Sequence, residues 1–268
     1  MGIPKSQEHS RNPLVVAISL CALVVFWWFG AWVKADADVL PMPNAVWTVI
    51  MAEARSGDLW FHMGMTLGRV IAAFVFAMSF GTALGLLLGL YPRLNTWADP
   101  WVVVFLNLPA LVVIVLAYLW IGLNEVAAVV AVSVNKTAMV IVTVREGVRT
   151  RDRQIEEMAK VYRLSPWVRF RHVLIPQLAP FLSTAVRNGL AVIWKIVLVV
   201  EFLGRGNGVG FQIHLYFQLF DTATVMAYSL SFVAVMLVIE YLAVQTSETQ
   251  AGGWGPPPPP AGGLLAQG

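Results

Sequence analysis

Residues 101–144 read WVVVFLNLPALVVIVLAYLWIGLNEVAAVVAVSVNKTAMVIVTV. Two apolar segments lie here, roughly 101–121 and 126–144, separated only by Gly122-Leu123-Asn124-Glu125. Each is about the ~20 residues that a helix needs to cross a bilayer. A four-residue connection between them is a tight hairpin turn. Working outward, the same kind of segment recurs at 14–33, 66–90, 181–203 and 223–244. The chain is 58% hydrophobic and 12% charged, far below the roughly 25% charge of soluble domains. The expected fold is an all-α polytopic membrane protein with about six transmembrane helices.

The segments divide the chain into an N-terminus (1–13), an anchor (14–33), a polar segment (34–65), a core (66–246) containing a charged loop (145–180), and a tail (247–268). A cleaved leader is the other reading of 14–33, because Lys5 and Arg11 precede it and Ala35-Asp36-Ala37 resembles an A-x-A site. Its apolar core is longer than the ~7–15 residues usual in a leader, which favours a retained anchor. The tail, with Gly252-Gly253-Trp254-Gly255 and then Pro256 to Pro260, reads as disordered or polyproline-like. A dispensable end is the plain reading; a docking site for a proline-binding module is the remote one.

A net charge of +3 does not indicate nucleic acid in such a chain, because membrane proteins gather Lys and Arg on cytoplasmic loops. Eight of the 18 Lys and Arg residues fall at Arg145, Arg149, Arg151, Arg153, Lys160, Arg163, Arg169 and Arg171. That loop is therefore placed in the cytoplasm, and both termini and the Arg93 loop with it. The segments 34–65 and 204–222 then face outward, in agreement with Asp36, Asp38, Glu53 and Asp58 against Lys34 and Arg55. The single Cys21 excludes an intrachain disulfide, and His9, His62, His172 and His214 show no metal-ligand spacing. No P-loop or GxSxG motif occurs, so the sequence predicts neither an enzyme nor a bound cofactor.

The loop itself is patterned. Asp152 is placed to cap a helix with apolar Ile155, Met158, Ala159 and Tyr162 on one face and Arg153, Glu156, Glu157, Lys160 and Arg163 opposite. Glu156 and Lys160 form an i,i+4 pair. Ser165-Pro166 reads as an N-cap followed by proline at the first helical position. A second short helix then runs through Trp167, Phe170 and Leu174 and stops before Pro176. Such a unit either lies on headgroups or presents a surface to a partner.

The order Glu157-x-Ala159 … Ile175-Pro176 resembles the EAA signature of ABC-importer permeases. Met158 stands where that signature has an alanine-type residue, and Arg163 replaces its glycine. Leu40-Pro41-Met42-Pro43, Thr66-Leu67-Gly68-Arg69, Asp99-Pro100, Trp194-Lys195, Glu201 and Gly206-x-Gly208-x-Gly210 are similar to elements of the nitrate/sulfonate/taurine-type branch, over about residues 40–245. The resemblance implies a coupling loop that fits a groove in a separate ATP-hydrolysing subunit, with Glu156, Glu157, Ala159, Lys160, Arg163, Ser165, Pro166 and Pro176 in it. It also implies two ATPase copies, a periplasmic solute-binding protein docking outside, a permease homodimer in the inner membrane, and ATP used by the partner. The signature glycine supplies the bend in that family; here Ser165-Pro166 is the alternative source of it.

Charges inside spans are costly and tend to face a partner or a water-filled path. Lys136, Arg187, Lys195 and Glu201 are the candidates for a translocation path; Glu240 is a further charge, near the inner end of the last span. Two readings stand: the lysines attract an anionic substrate, or the charges form interhelical pairs, Glu201 with Lys195 or Lys136. Lys195 and Glu201 are six positions apart and so face different ways, and at least one looks toward another span. Gly81-x(3)-Gly85-x(3)-Gly89 is a small-residue ridge for tight helix packing, within the chain or between copies. Gly206-Asn207-Gly208-Val209-Gly210 reads as a flexible outer turn. An ion-coupled secondary transporter, with Glu201 or Lys195 as the proton site, is the competing function. The spans show neither the repeat symmetry nor the breaks that would support it. A membrane-embedded enzyme would need converging nucleophile, base or metal residues, and none are present.

Overall fold

The computed structural model describes residues 13–252. Each expected segment lies on helix: α1 (Pro13–Lys34), α3 (Asp58–Leu90), α6 (Glu125–Arg149), α9 (Ile175–Gly204) and α11 (Thr222–Gly252), with the third segment as a broken pair. A short helix α2 (Pro43–Ser56) precedes α3, and Gly57, at φ 94°, makes the corner between them. α11 reaches Gly252, past the expected boundary at 246. The proline run and the first twelve residues lie outside the described residues.

The segment 101–121 is not one straight span. α4 (Pro92–Asn107) and α5 (Ala110–Ile121) meet at 98°. The cause is local: Pro109 has no N–H to continue the helix, and it forces Leu108 into an extended conformation at φ −68°, ψ 124°. The break frees a carbonyl, and the Asn135 amide on α6 donates to it (Leu108 O, 3.2 Å). The hairpin turn after α5 holds as the sequence indicates. Gly122 takes φ 94°, and Asn124 caps α6 by accepting the Ala127 N–H at 2.9 Å.

The glycine ridge sets the core. A Cβ built on Gly81 would lie 2.5 Å from Val140 Cβ, on Gly85 2.8 Å from Val144 Cβ, and on Gly89 2.5 Å from Val148 Cβ. Glycines and valines advance in step, so α3 and α6 run parallel and in contact within one chain. α9 runs back between them. Gly147 near the end of α6 meets Phe181 near the start of α9, and Arg69 near the start of α3 meets Glu201 near the end of α9. Around this trio Val70, Ala73, Ala77, Ile114, Ala128, Val132, Ile193 and Val197 form the largest buried cluster.

At the opposite end from Arg69, the charged loop forms α7 (Arg153–Val161), α8 (Pro166–Arg169) and a π-helical turn (Phe170–Leu174). The expected stop before Pro176 does not occur. The turn runs directly into α9, with the Ile175 N–H donating to Phe170 O, five residues back. The wider turn relieves the clash that a proline ring makes with the carbonyl four residues earlier, so Pro176 is carried inside a continuous helix.

Candidate functional site

The α7–α8 loop is built by its caps. Asp152 accepts the Gln154 N–H at 2.7 Å and Ser165 the Val168 N–H at 3.4 Å, with Pro166 next in the chain. Between them the Leu164 N–H reaches Ala159 O and the Arg163 N–H reaches Lys160 O, both at 3.0 Å. This is a Schellman end, whose key residue must be left-handed. Arg163 supplies it at φ 51°. The bend thus sits where the signature glycine would be, in a residue for which that conformation is strained.

The side chains of the loop divide differently from the sequence pattern. Of the apolar face only Ala159 is buried, whereas Ile155, Met158, Tyr162 and Trp167 are exposed. Glu156 pairs with Arg151, in the short link between α6 and α7, at 2.5 Å rather than with Lys160. Glu157 pairs with Arg153 at 2.9 Å on the exposed side. Lys160, Arg163, Ser165 and Pro166 are exposed, and Pro176 is half-buried.

A second assembly occupies the other end of the bundle, where the chain turns from α9 into α10 (Val209–Gln218). Glu201 is wholly buried, and its partner is neither lysine but Arg69 of α3, at 2.6 Å. Arg69 also binds both oxygens of Glu125 at the start of α6, at 2.7 and 2.8 Å. Its remaining hydrogens reach the Asn207 carbonyl (2.9 Å) and the Asn207 side chain. Arg205 pairs with Glu125 from the outside and donates to Leu123 O at 3.1 Å. Two arginines therefore balance two glutamates across α3, α6 and α9.

The segment read as a flexible turn closes over this cluster. Glu201 accepts the Gly210 N–H at 2.9 Å and the Thr66 hydroxyl at 2.8 Å, and Thr66 accepts the Val209 N–H at 2.8 Å. The Gly208 N–H donates to His62 Nδ1 at 3.0 Å. The imidazole proton then sits on Nε2, where the Gln212 amide lies 2.5 Å away. Assigning the oxygen rather than the nitrogen of that amide to this position lets it accept the proton and gives the otherwise unpartnered oxygen a partner. Gly208 takes φ 107°, and a Cβ there would strike the Glu201 carboxyl at 2.4 Å. The glycines are there for close approach to a buried charge, and the turn is tied down.

The other candidates lie apart from this cluster. Lys136 is buried on α6 with its Nζ 3.0 Å from Met139 Sδ, and no carboxylate pairs with it among the described residues. Arg187 and Lys195 lie on the exposed side of α9, Lys195 stacked 5.3 Å from the Trp194 ring centre. Trp194 in turn donates to Glu240 at 3.2 Å. Among the described residues no group of three or more His, Cys, Asp or Glu is placed to hold a metal ion.

Residues 81–245 match the family of binding-protein-dependent transport system inner membrane components. The chain belongs to this family. The permease is 32% identical to the aliphatic sulfonates transport permease protein SsuC of Escherichia coli strain K12, over 65% of this chain and 66% of that one. It is 29% identical to the riboflavin transport system permease protein RibX of Chloroflexus aurantiacus, over 88% and 89%. The fold is shared with the inward-facing MetNI methionine ABC transporter: TM-score 0.64 at 18% identity, over 76% of this chain and 99% of that one. The protein is thus the membrane-crossing permease subunit of an ABC importer. The ion-coupled carrier reading is not favoured.

Within this permease, sequence reasoning quoted Thr66 and Arg69 as part of a motif but gave them no partner, and it left His62 unassigned. A signal was available. His62, Thr66 and Arg69 extend the buried stripe of Ala73, Ala77 and Gly81 at helical spacing. Polar residues that continue a small-residue packing stripe must meet polar partners, since a buried group without one is costly.

Proposed function

We propose that this permease carries a small organic anion, a sulfonate first among the candidates, received from a solute-binding protein on the outer side. In this reading two copies of the chain form the path, and two copies of a separate ATPase subunit hydrolyse ATP below them. Both termini and the α7–α8 loop face the cytoplasm, as the concentration of Lys and Arg at that end argues. The loop couples the two layers through Glu156, Glu157, Ala159, Lys160, Arg163, Ser165, Pro166 and Pro176. The observation that carries the coupling role is the exposure of Ile155, Met158, Tyr162 and Trp167 on a loop held rigid by two caps and a Schellman end. A preformed apolar surface of this kind suits a protein groove.

For the cargo, SsuC and RibX point to different chemistries, an anion and a flavin. The exposed cations Arg187 and Lys195 on α9 support the anion, because a charge facing a water-filled path is tolerated where one facing lipid is not. Glu201, wholly buried against Arg69, contributes to the frame of the path rather than its lining. The test is to purify the cognate binding protein and identify its ligand by mass spectrometry, then measure uptake in vesicles holding the reconstituted importer. A sulfonate ligand, with uptake reduced in Lys195→Gln, supports the reading. A neutral ligand, or uptake indifferent to Lys195, sinks it.

A further inference from the structure

A cleft of about 410 Å³ lies between the end of α3 and the charged loop, lined by Leu90, Tyr91, Arg151, Glu156, Pro166, Arg169, Phe170, Val173 and Leu174. Its charges are unevenly used. Arg151 is committed to Glu156 at 2.5 Å and to Val148 O at 2.6 Å. Arg169 is half-buried, and its side chain has no hydrogen-bond or ion-pair partner among the described residues. Its guanidinium thus lines a walled cleft with its donors unspent, opposite a carboxylate already neutralised. The other loop cations without an ion pair among the described residues, Lys160, Arg163 and Arg171, are exposed and do not line the cleft.

We propose that this cleft binds the phosphate headgroup of an anionic phospholipid, with Arg169 as its principal contact. Three observations select a lipid over other anions. The cleft opens at Leu90, the last residue of a 33-residue membrane span, which is the depth of the headgroups. Its remaining wall is apolar, with Leu90, Phe170, Val173 and Leu174 suited to the first methylenes of an acyl chain. Basic pockets between spans at this level are where anionic headgroups are held. The exposed apolar side chains Ile155, Met158 and Trp167 do not line the cleft, and of the coupling residues only Glu156 and Pro166 do, so a headgroup in the cleft leaves most of the loop's exposed surface open to a protein partner.

The full-length permease would be placed in nanodiscs of equal parts phosphatidylglycerol and phosphatidylcholine, extracted in mild detergent, and its retained lipid measured by mass spectrometry. The expected result is retention of phosphatidylglycerol over phosphatidylcholine. Arg169→Gln should retain roughly tenfold less, the effect of losing a charged hydrogen-bond donor. Arg169→Lys should keep most of it, and Arg171→Gln, an exposed cation outside the cleft, should match the unaltered chain. Equal loss in Arg171→Gln means diffuse attraction to the loop and overturns the site, as does unchanged retention in Arg169→Gln. Labelled inorganic phosphate retained in detergent with the same dependence on Arg169 assigns the cleft to the free anion instead. Displacement of phosphatidylglycerol by an added ATPase subunit assigns it to a protein partner. Gel filtration of each variant separates loss of lipid from loss of fold.

Discussion

Arg69 and Glu201, 132 residues apart in sequence, form a 2.6 Å ion pair in which the arginine side chain is 4% exposed and the glutamate 0%. Removing one partner of such a pair strands the other charge, at a cost of about 3–5 kcal/mol. Glu201→Ala should therefore lose most of its folded fraction after heating in detergent, read by fluorescence-detected gel filtration. Glu201→Gln keeps an oxygen to accept from Arg69 and should lie between. Equal survival of all three proteins would show that the pair adds nothing to the bundle.

The corner glycines separate cleanly by what surrounds them. A Cβ on Gly210 would lie 2.3 Å from the Leu198 carbonyl oxygen, and one on Gly208 2.4 Å from the Glu201 carboxyl; one on Gly206 meets nothing within 4 Å. At Gly210 the obstacle is backbone, which cannot move aside; at Gly208 it is a carboxylate held by Arg69, and φ 107° itself strains any residue with a Cβ. Gly208→Ala and Gly210→Ala should expel the corner from its place over Arg69, while Gly206→Ala is neutral or slightly stabilising. Hydrogen exchange at Val209 and Gly210 measures this directly. Fast exchange in the first two variants and unchanged exchange in the third is the expected pattern, and uniform behaviour would refute it.

How much of this was legible beforehand depends on sequence separation. Asp152 and Ser165-Pro166 announce their structures because a cap is written within three or four residues. The Gly81, Gly85, Gly89 ridge announced close packing but not its partner, and only the structure supplies Val140, Val144 and Val148. The break at Pro109 was hidden by hydropathy, which is blind to a missing N–H in an apolar run. The π turn was hidden because one extra residue per turn leaves no mark in residue types. The Arg69–Glu201 pair was least legible: its members come from opposite halves of the chain, and two nearer lysines competed for the same glutamate.

Arg163 carries the strain of the loop. At φ 51° an arginine holds a conformation that costs an L-residue roughly 1–2 kcal/mol, whereas glycine adopts it freely. Arg163→Gly should therefore slow hydrogen exchange at Leu164, whose N–H closes the Schellman end on Ala159. Arg163→Val, with a β-branched side chain in the same conformation, should speed it. The opposite order would mean that arginine makes a contact that outweighs its backbone cost.

The ridge can be tested by exchange of volume. Gly81→Ala puts a methyl 2.5 Å from Val140 Cβ and 2.7 Å from Cγ1, and overpacking of this kind costs typically ~1–3 kcal/mol. Val140→Ala leaves Cβ in place and so should not relieve it, but Val140→Gly removes both atoms. The double variant Gly81→Ala with Val140→Gly should recover part of the loss, a coupling expected only of residues in direct contact. If the two effects simply add, α3 and α6 do not meet through this pair.

The loop prediction links structure to transport. Glu157 is exposed and, among the described residues, paired only with Arg153, at 2.9 Å within the same helix, a geometry worth a few tenths of a kcal/mol at most. Its replacement therefore leaves the fold of the permease nearly untouched. Glu157→Arg nevertheless reverses an exposed charge on the loop proposed to meet the ATPase. Co-purification of the ATPase should fall, and uptake with it, while the melting behaviour of the permease alone stays as before. Met158→Asp, which places a charge in the exposed apolar surface itself, should act in the same direction. Intact assembly and intact uptake in both variants would mean that the exposed surface of α7 faces water in the working transporter, and that coupling runs through another part of the molecule.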